Sequence, residues 1–191
     1  MNRTDISARR QCERLRQEFR PEAVRLLFIG ESPPASGRFY YRGDSGLYRA
    51  MREVFQVIDA SITDSTLLNV FRESGCYLFD LCPEPVDQLG ATARRDARRL
   101  AQRNLSHVID RLQPAMIATL LRSIESDVLA SIATAHWRGS VLHLPYPGRW
   151  KRHREAFVRE LAPAIRPLVL GRTAPVDRSR RGWGPALPNR A

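Results

Sequence analysis

The sequence predicts an α/β chain, and three observations carry that reading. Four short apolar segments rich in strand-forming residues recur along the chain: Val24–Ile29, Cys76–Leu81, Ala115–Leu121 and Ser140–Leu144. Helix-length amphipathic segments separate them, which argues for right-handed crossovers and a parallel sheet covered on both faces. Three of the four end in sequence that neither a strand nor a helix continues easily: Gly30-Glu31-Ser32-Pro33-Pro34, Asp80-Leu81-Cys82-Pro83 and Leu144-Pro145-Tyr146-Pro147. The expected architecture is a three-layer α/β/α sandwich with a four-stranded, mainly parallel sheet. In such sheets a ligand sits beyond the carboxyl ends of the strands, where those three segments converge.

Each element has a local reason. Ser7 to Arg20 is polar and helix-compatible, with Leu15 and Phe19 on one face, and Pro21 stops it. Val24–Ile29 is short and uniformly apolar, as a strand buried on both faces should be. The following loop holds Pro33, Pro34, Gly37 and the cluster Phe39-Tyr40-Tyr41. Asp44 or Ser45 can cap a helix to about Asp59, with Leu47, Met51, Val54, Phe55 and Ile58 facing inward. A second helix is expected over Thr63–Glu73. Thr92–Leu112 carries the clearest stripe: Ala97, Leu100, Ala101, Leu105, Val108, Ile109 and Leu112, with Arg94, Arg95, Arg98, Arg99 and Arg103 placed off it. Helices over Ile124–Ala135 and about Trp150–Ile165 complete the series. The domain is expected to span residues 1–170, and the Pro-, Gly- and Arg-rich 171–191 to form a basic, disordered tail.

Composition bounds the function. With 191 residues, 43% hydrophobic and 27% charged, the chain suits one globular domain with a sizeable core. No apolar run is long enough to cross a bilayer, and Met1-Asn2-Arg3-Thr4-Asp5 does not read as a secretory signal, so a cytoplasmic monomer is expected. Cys12, Cys76 and Cys82 lack the spacing of a disulfide framework or a metal knuckle, so neither metal nor cofactor is expected. A net charge of +11 points to an anionic partner, nucleic acid first. Lys151 is the only lysine, and such an arginine bias can reflect genome composition rather than binding. About four of the eleven charges come from the tail, where Arg172, Arg178, Arg180, Arg181 and Arg190 face Asp177.

Four segments, in order, resemble the uracil-DNA glycosylase superfamily. The apolar strand leading into Gly30-Glu31-Ser32-Pro33-Pro34 is similar to the family's first motif, most of all to the Gly-Glu-Ala-Pro-Gly of its iron–sulfur branch. Tyr41-Arg42-Gly43-Asp44-Ser45-Gly46 is similar to that branch's Phe-Val-Gly-Arg-Ala-Gly. Tyr77-Leu78-Phe79-Asp80-Leu81-Cys82-Pro83 looks like its strand ending in Asn-Val-Val-Lys-Cys-Arg-Pro, two residues shorter between the Asn position and the Cys. Leu144-Pro145-Tyr146-Pro147-Gly148-Arg149 resembles the final His-Pro-Ser-Pro loop. Only Cys82 falls on a cluster-ligand position, so the resemblance implies no iron–sulfur centre.

The resemblance implies a role for each residue. Glu31 is the expected catalytic carboxylate, since cleavage of an N-glycosidic bond passes through a cationic sugar that a carboxylate stabilises; a strand-end Glu capping the next turn is the alternative. Ser32 joins the base site. Tyr41, or failing that Phe39, is the expected aromatic on which the flipped-out base stacks, unless the cluster simply packs the loop on the sheet. Asp80 stands at the family's edge-reading Asn. Ionised Asp only accepts hydrogen bonds, so a uracil O4 would face it lone pair to lone pair unless Asp80 is protonated or the base presents two donors. Leu144 replaces the family's His, and His143 points to the opposite face. Pro145 and Pro147 join the expected DNA-binding loop, with Arg149 and Trp150 as its wedge and Lys151 and Arg152 on phosphates, unless that segment is simply a solvated helix start. The function expected is hydrolysis of a uracil or other modified base from single- or double-stranded DNA. The alternatives are a non-catalytic base-binding module and a hydrolase of free nucleosides or nucleotides.

Overall fold

The computed structural model describes residues 3–148 and 150–173. The strands are β1 (Leu26–Gly30), β2 (Cys76–Asp80), β3 (Met116–Thr119) and β4 (Ser140–His143). The helices are α1 (Arg3–Glu18), α2 (Gly46–Ile58), α3 (Leu67–Glu73), α4 (Ala91–Leu112), α5 (Glu125–Thr134) and α6 (Lys151–Leu170). All three strand pairings are parallel, in the order β2-β1-β3-β4. The fold is a three-layer α/β/α sandwich. Right-handed crossovers place α4 and α5 together on one face and α2, α3 and α6 on the other, and those are the helices that touch one another. No described helix is long and apolar enough to cross a membrane.

The central strand β1 is buried along its whole length, which is why its sequence does not alternate. Ser45 caps α2, its Oγ accepting from the Tyr48 amide, as Ser45 at that position predicts. Helices depart from expectation: α1 runs over Arg3–Glu18 rather than Ser7–Arg20, and α3 starts at Leu67 rather than Thr63. α6 continues to Leu170 through Pro163 and Pro167, because both prolines lie on its exposed side while Phe157, Leu161, Ile165 and Val169 stay buried at every fourth position. In α4 the core-facing arc runs from Ala97 to Ile109. At about 100° per residue Leu100 lies roughly 60° outside that arc, and it is 83% exposed rather than part of the stripe. Beyond α6, Arg172 donates to Asp59 Oδ2 at 2.9 Å; the Ser61 hydroxyl first, and then Arg172, hold Asp59 below the usual carboxylate range. Residues 174–191, the body of the expected tail, lie outside the described residues.

The strand order fixes where a ligand can enter. The chain leaves β1 for β2 on one side, then crosses back over β1 to β3 on the other. Loops from neighbouring strands therefore diverge at the carboxyl end of β1 and leave a crevice there.

Candidate functional site

That crevice is a cleft of about 270 Å³ lined from all four strand ends. Gly30, Glu31 and Ser32 come from β1, Asp80 from β2, Leu120 and Leu121 from β3, and Tyr146 from the loop after β4. Phe39, Arg38 and Arg94 close its sides.

Glu31 is 6% exposed, and its carboxylate is fully engaged. Arg94 grips both oxygens, through Nε to Oε1 at 2.7 Å and through Nη2 to Oε2, and Arg98 adds a third contact to Oε1 at 3.3 Å. Arg98 also faces Asp127 at 3.3 Å, and Asp127 accepts from Gln102 at 2.6 Å. Two carboxylates and two guanidinium groups thus form one network between β1, α4 and α5, and their charges cancel. The residue pattern alone predicts Arg94 and Arg98 off the apolar stripe of α4. Both instead project from its core-facing side, in line with Ala101, Leu105 and Ile109.

Asp80 is paired with Gly30 across the ladder, so the two acidic side chains emerge from adjacent strand ends. A Cβ on Gly30 would fall 2.5 Å from Asp80 Oδ1, so the glycine leaves the room in which this carboxylate lies. Its other oxygen accepts from Arg16 of α1 at 3.0 Å. The Arg16 guanidinium lies 5.4 Å from the ring centres of both Phe39 and Phe79, a cation between two aromatic faces. Burial pushes the Asp80 carboxyl above its ordinary value, and Arg16 offsets only part of that. Burial works against the Arg16 charge, but Asp80 and Glu13 outweigh it and raise its pKa. A single arginine in a polar helix carries no motif, so nothing in the sequence marks Arg16.

The aromatic cluster divides. Phe39 lines the cleft. Tyr41 does not: it is 2% exposed, stacked at 6.0 Å on Phe19 and edge-on at 5.1 Å to Tyr40. Its hydroxyl donates to the Leu78 carbonyl at 3.1 Å and accepts from the Leu78 amide at 2.7 Å. β2 is an edge strand, and Tyr41 satisfies backbone groups that no fifth strand reaches. The expectation that a base stacks on Tyr41 is corrected accordingly.

Ser32 lines the cleft and its Oγ accepts from the Val86 amide at 3.2 Å, tying the β1 loop to the β2 loop. The Cys82 thiol, beside Glu31, is pushed up to about 11 by burial and by that carboxylate. Among the described residues no three His, Cys, Asp or Glu side chains converge as metal ligands.

In the last loop Leu144 is fully buried and His143 bonds Thr119 Oγ1 at 3.1 Å, away from the cleft. The group this loop presents to the cleft is Tyr146, two residues on, whose hydroxyl is pushed upward by burial and then by Asp80. Pro145 is half-buried and Pro147 buried, and neither lines the cleft. Trp150 is 59% exposed; Lys151 and Arg152 are exposed at the start of α6. Arg149 lies outside the described residues. No protein-family model matches the chain, and no curated protein matches it.

Proposed function

We propose that this chain is a DNA glycosylase-like base-processing protein that takes a flipped-out nucleobase into the cleft at the β1 and β2 ends. The observation that carries this reading is the meeting of Glu31, Asp80 and Phe39 in one cleft of about 270 Å³. Small-molecule sites run from about 300 Å³ upward, so the space suits one base with its sugar rather than a dinucleotide. Phe39 supplies a face for stacking and Asp80 an edge for hydrogen bonding. One Asp80 oxygen is held by Arg16, so the other is an acceptor for a donor group on the base edge. Glu31 faces the sugar, where a carboxylate stabilises developing positive charge. Tyr146 offers an O–H to the departing base from the loop in which Leu144 offers none.

A screen of duplexes and single strands bearing different modified bases, scored for abasic sites and free base, tests the reading. Release should fall sharply in Glu31→Gln and, with affinity retained, in Tyr146→Phe; Asp80→Asn should move preference toward uracil. Tight binding with no release of any base would favour a non-catalytic base-binding module. The three arginine contacts on Glu31 support that second reading, because they balance its charge and occupy both of its oxygens.

A further inference from the structure

We propose that the groove between α4 and α5 binds the phosphate backbone of a single nucleic-acid strand that leads into the cleft. This rests on the base-binding reading for the destination of the strand, and on separate residues for its path.

The path begins at Arg94, which lines both the cleft and a neighbouring depression of about 370 Å³ shared with Arg95, Arg98 and Ser123. Farther along α4 lies a trough of about 610 Å³, with Arg99, Arg103 and His107 on one wall and His136 beyond the end of α5. Arg95, Arg99, Arg103, His107 and Arg111 recur at every fourth residue, a basic ridge about 6 Å from step to step along the helix. Arg95, Arg99 and Arg103 are exposed, and none has a carboxylate partner among the described residues. Arg94 and Arg98, by contrast, are spent on Glu31 and Asp127. Asp110 is the only acidic residue lining the trough, and its carboxylate accepts from Gln113. The first turn of α4 carries no acidic side chain, so the helix dipole adds to the positive potential at the cleft mouth.

Unpaired arginines along a concave trough match a flexible polyanion. A duplex is too wide to enter a channel bounded by two packed helices, whereas one backbone can follow it and stack bases on His107 and His136. The substrate class implied is single-stranded nucleic acid, or the unpaired strand of an opened duplex.

The test is the salt dependence of binding to a fluorescein-labelled oligothymidylate, read by anisotropy, for wild type, R99Q/R103Q and the charge-matched R159Q/R166Q on the opposite layer. Each lost phosphate contact on a single strand lowers the slope of log K against log salt by about 0.7, so R99Q/R103Q should lower it by about 1.4. The opposite-layer variant should leave it unchanged, and both should melt like wild type. An unchanged slope in R99Q/R103Q, an equal drop in both variants, or no strand binding by the wild type would overturn the groove. Base release, assayed separately, judges the cleft: a chain that releases base yet shows no groove effect fails only this inference.

Discussion

Replacing Glu31 with Gln separates chemistry from scaffolding. The substitution removes a buried carboxylate and leaves two guanidinium groups facing a neutral amide. Removing one partner of a buried ion pair typically costs about 3–5 kcal/mol. Two features reduce that here. Arg94 is 33% exposed and can rehydrate, and Arg98 keeps Asp127. The glutamine oxygen also remains as an acceptor. A net loss of about 2 kcal/mol follows, which for a chain of this size lowers the melting midpoint by about 4–8 °C. A carboxylate that stabilises the transition state should in addition cost about 10²–10³ in single-turnover base release. Arg98→Gln is the comparator, because it damages the same network from outside the cleft and leaves the carboxylate in place. Both variants should melt early, and only E31Q should lose release beyond several-fold. Equal release by the two variants would reduce Glu31 to an anchor for α4.

Tyr41→Phe strands the Leu78 amide and carbonyl, so it should destabilise the fold by about 1–3 kcal/mol while leaving base affinity unchanged; weaker base binding with unaltered melting would restore Tyr41 to the site. Asp80 has its pKa raised on folding, so its contribution to stability is fully present below the ordinary carboxylate range and is lost as pH rises through the raised value. The difference in melting temperature, Asp80→Asn minus wild type, should therefore be more favourable to the variant at pH 7 than at pH 4, and the reverse trend would refute burial as the dominant cause. Gly30→Ala places a methyl 2.5 Å from Asp80 Oδ1 and should cost about 1–3 kcal/mol through overpacking, with base binding impaired; wild-type melting and binding would show the carboxylate is not confined.

Where the backbone itself dictated the answer, the sequence was legible. Strand ends marked by Gly30, Asp80 and Pro145 identified the edge of the sheet at which Glu31, Ser32, Phe39 and Asp80 gather, because a parallel sheet sends all its carboxyl ends one way. What escaped were charged residues serving the interior. Arg94 and Arg98 share the spacing of Ala101, Leu105 and Ile109, and that register was the available signal; counting arginine as surface hid it. Arg16 and Tyr41 were harder, since each acts on β2 from more than 35 residues away, at an edge that exists only once the sheet is assembled.

The charge distribution has a kinetic consequence that ties the site to its surroundings. Both cleft carboxylates are matched by helix-borne arginines, Glu31 by Arg94 and Arg98 and Asp80 by Arg16, so the floor is close to neutral. The unmatched positive charge lies outside, on Arg38 at the rim and on Arg95, Arg99 and Arg103 along α4. Salt screens exposed charges over about 8 Å at physiological ionic strength and reaches buried pairs far less. On the proposed reading, the rim would gather a polyanion and the floor would hold an uncharged base. Raising salt should therefore weaken strand affinity steeply, while the rate of base release from the saturated complex stays nearly flat. Measuring both across one salt series decides the matter. A saturated rate that falls in step with affinity would place exposed arginines in the chemical step and break the separation between rim and floor.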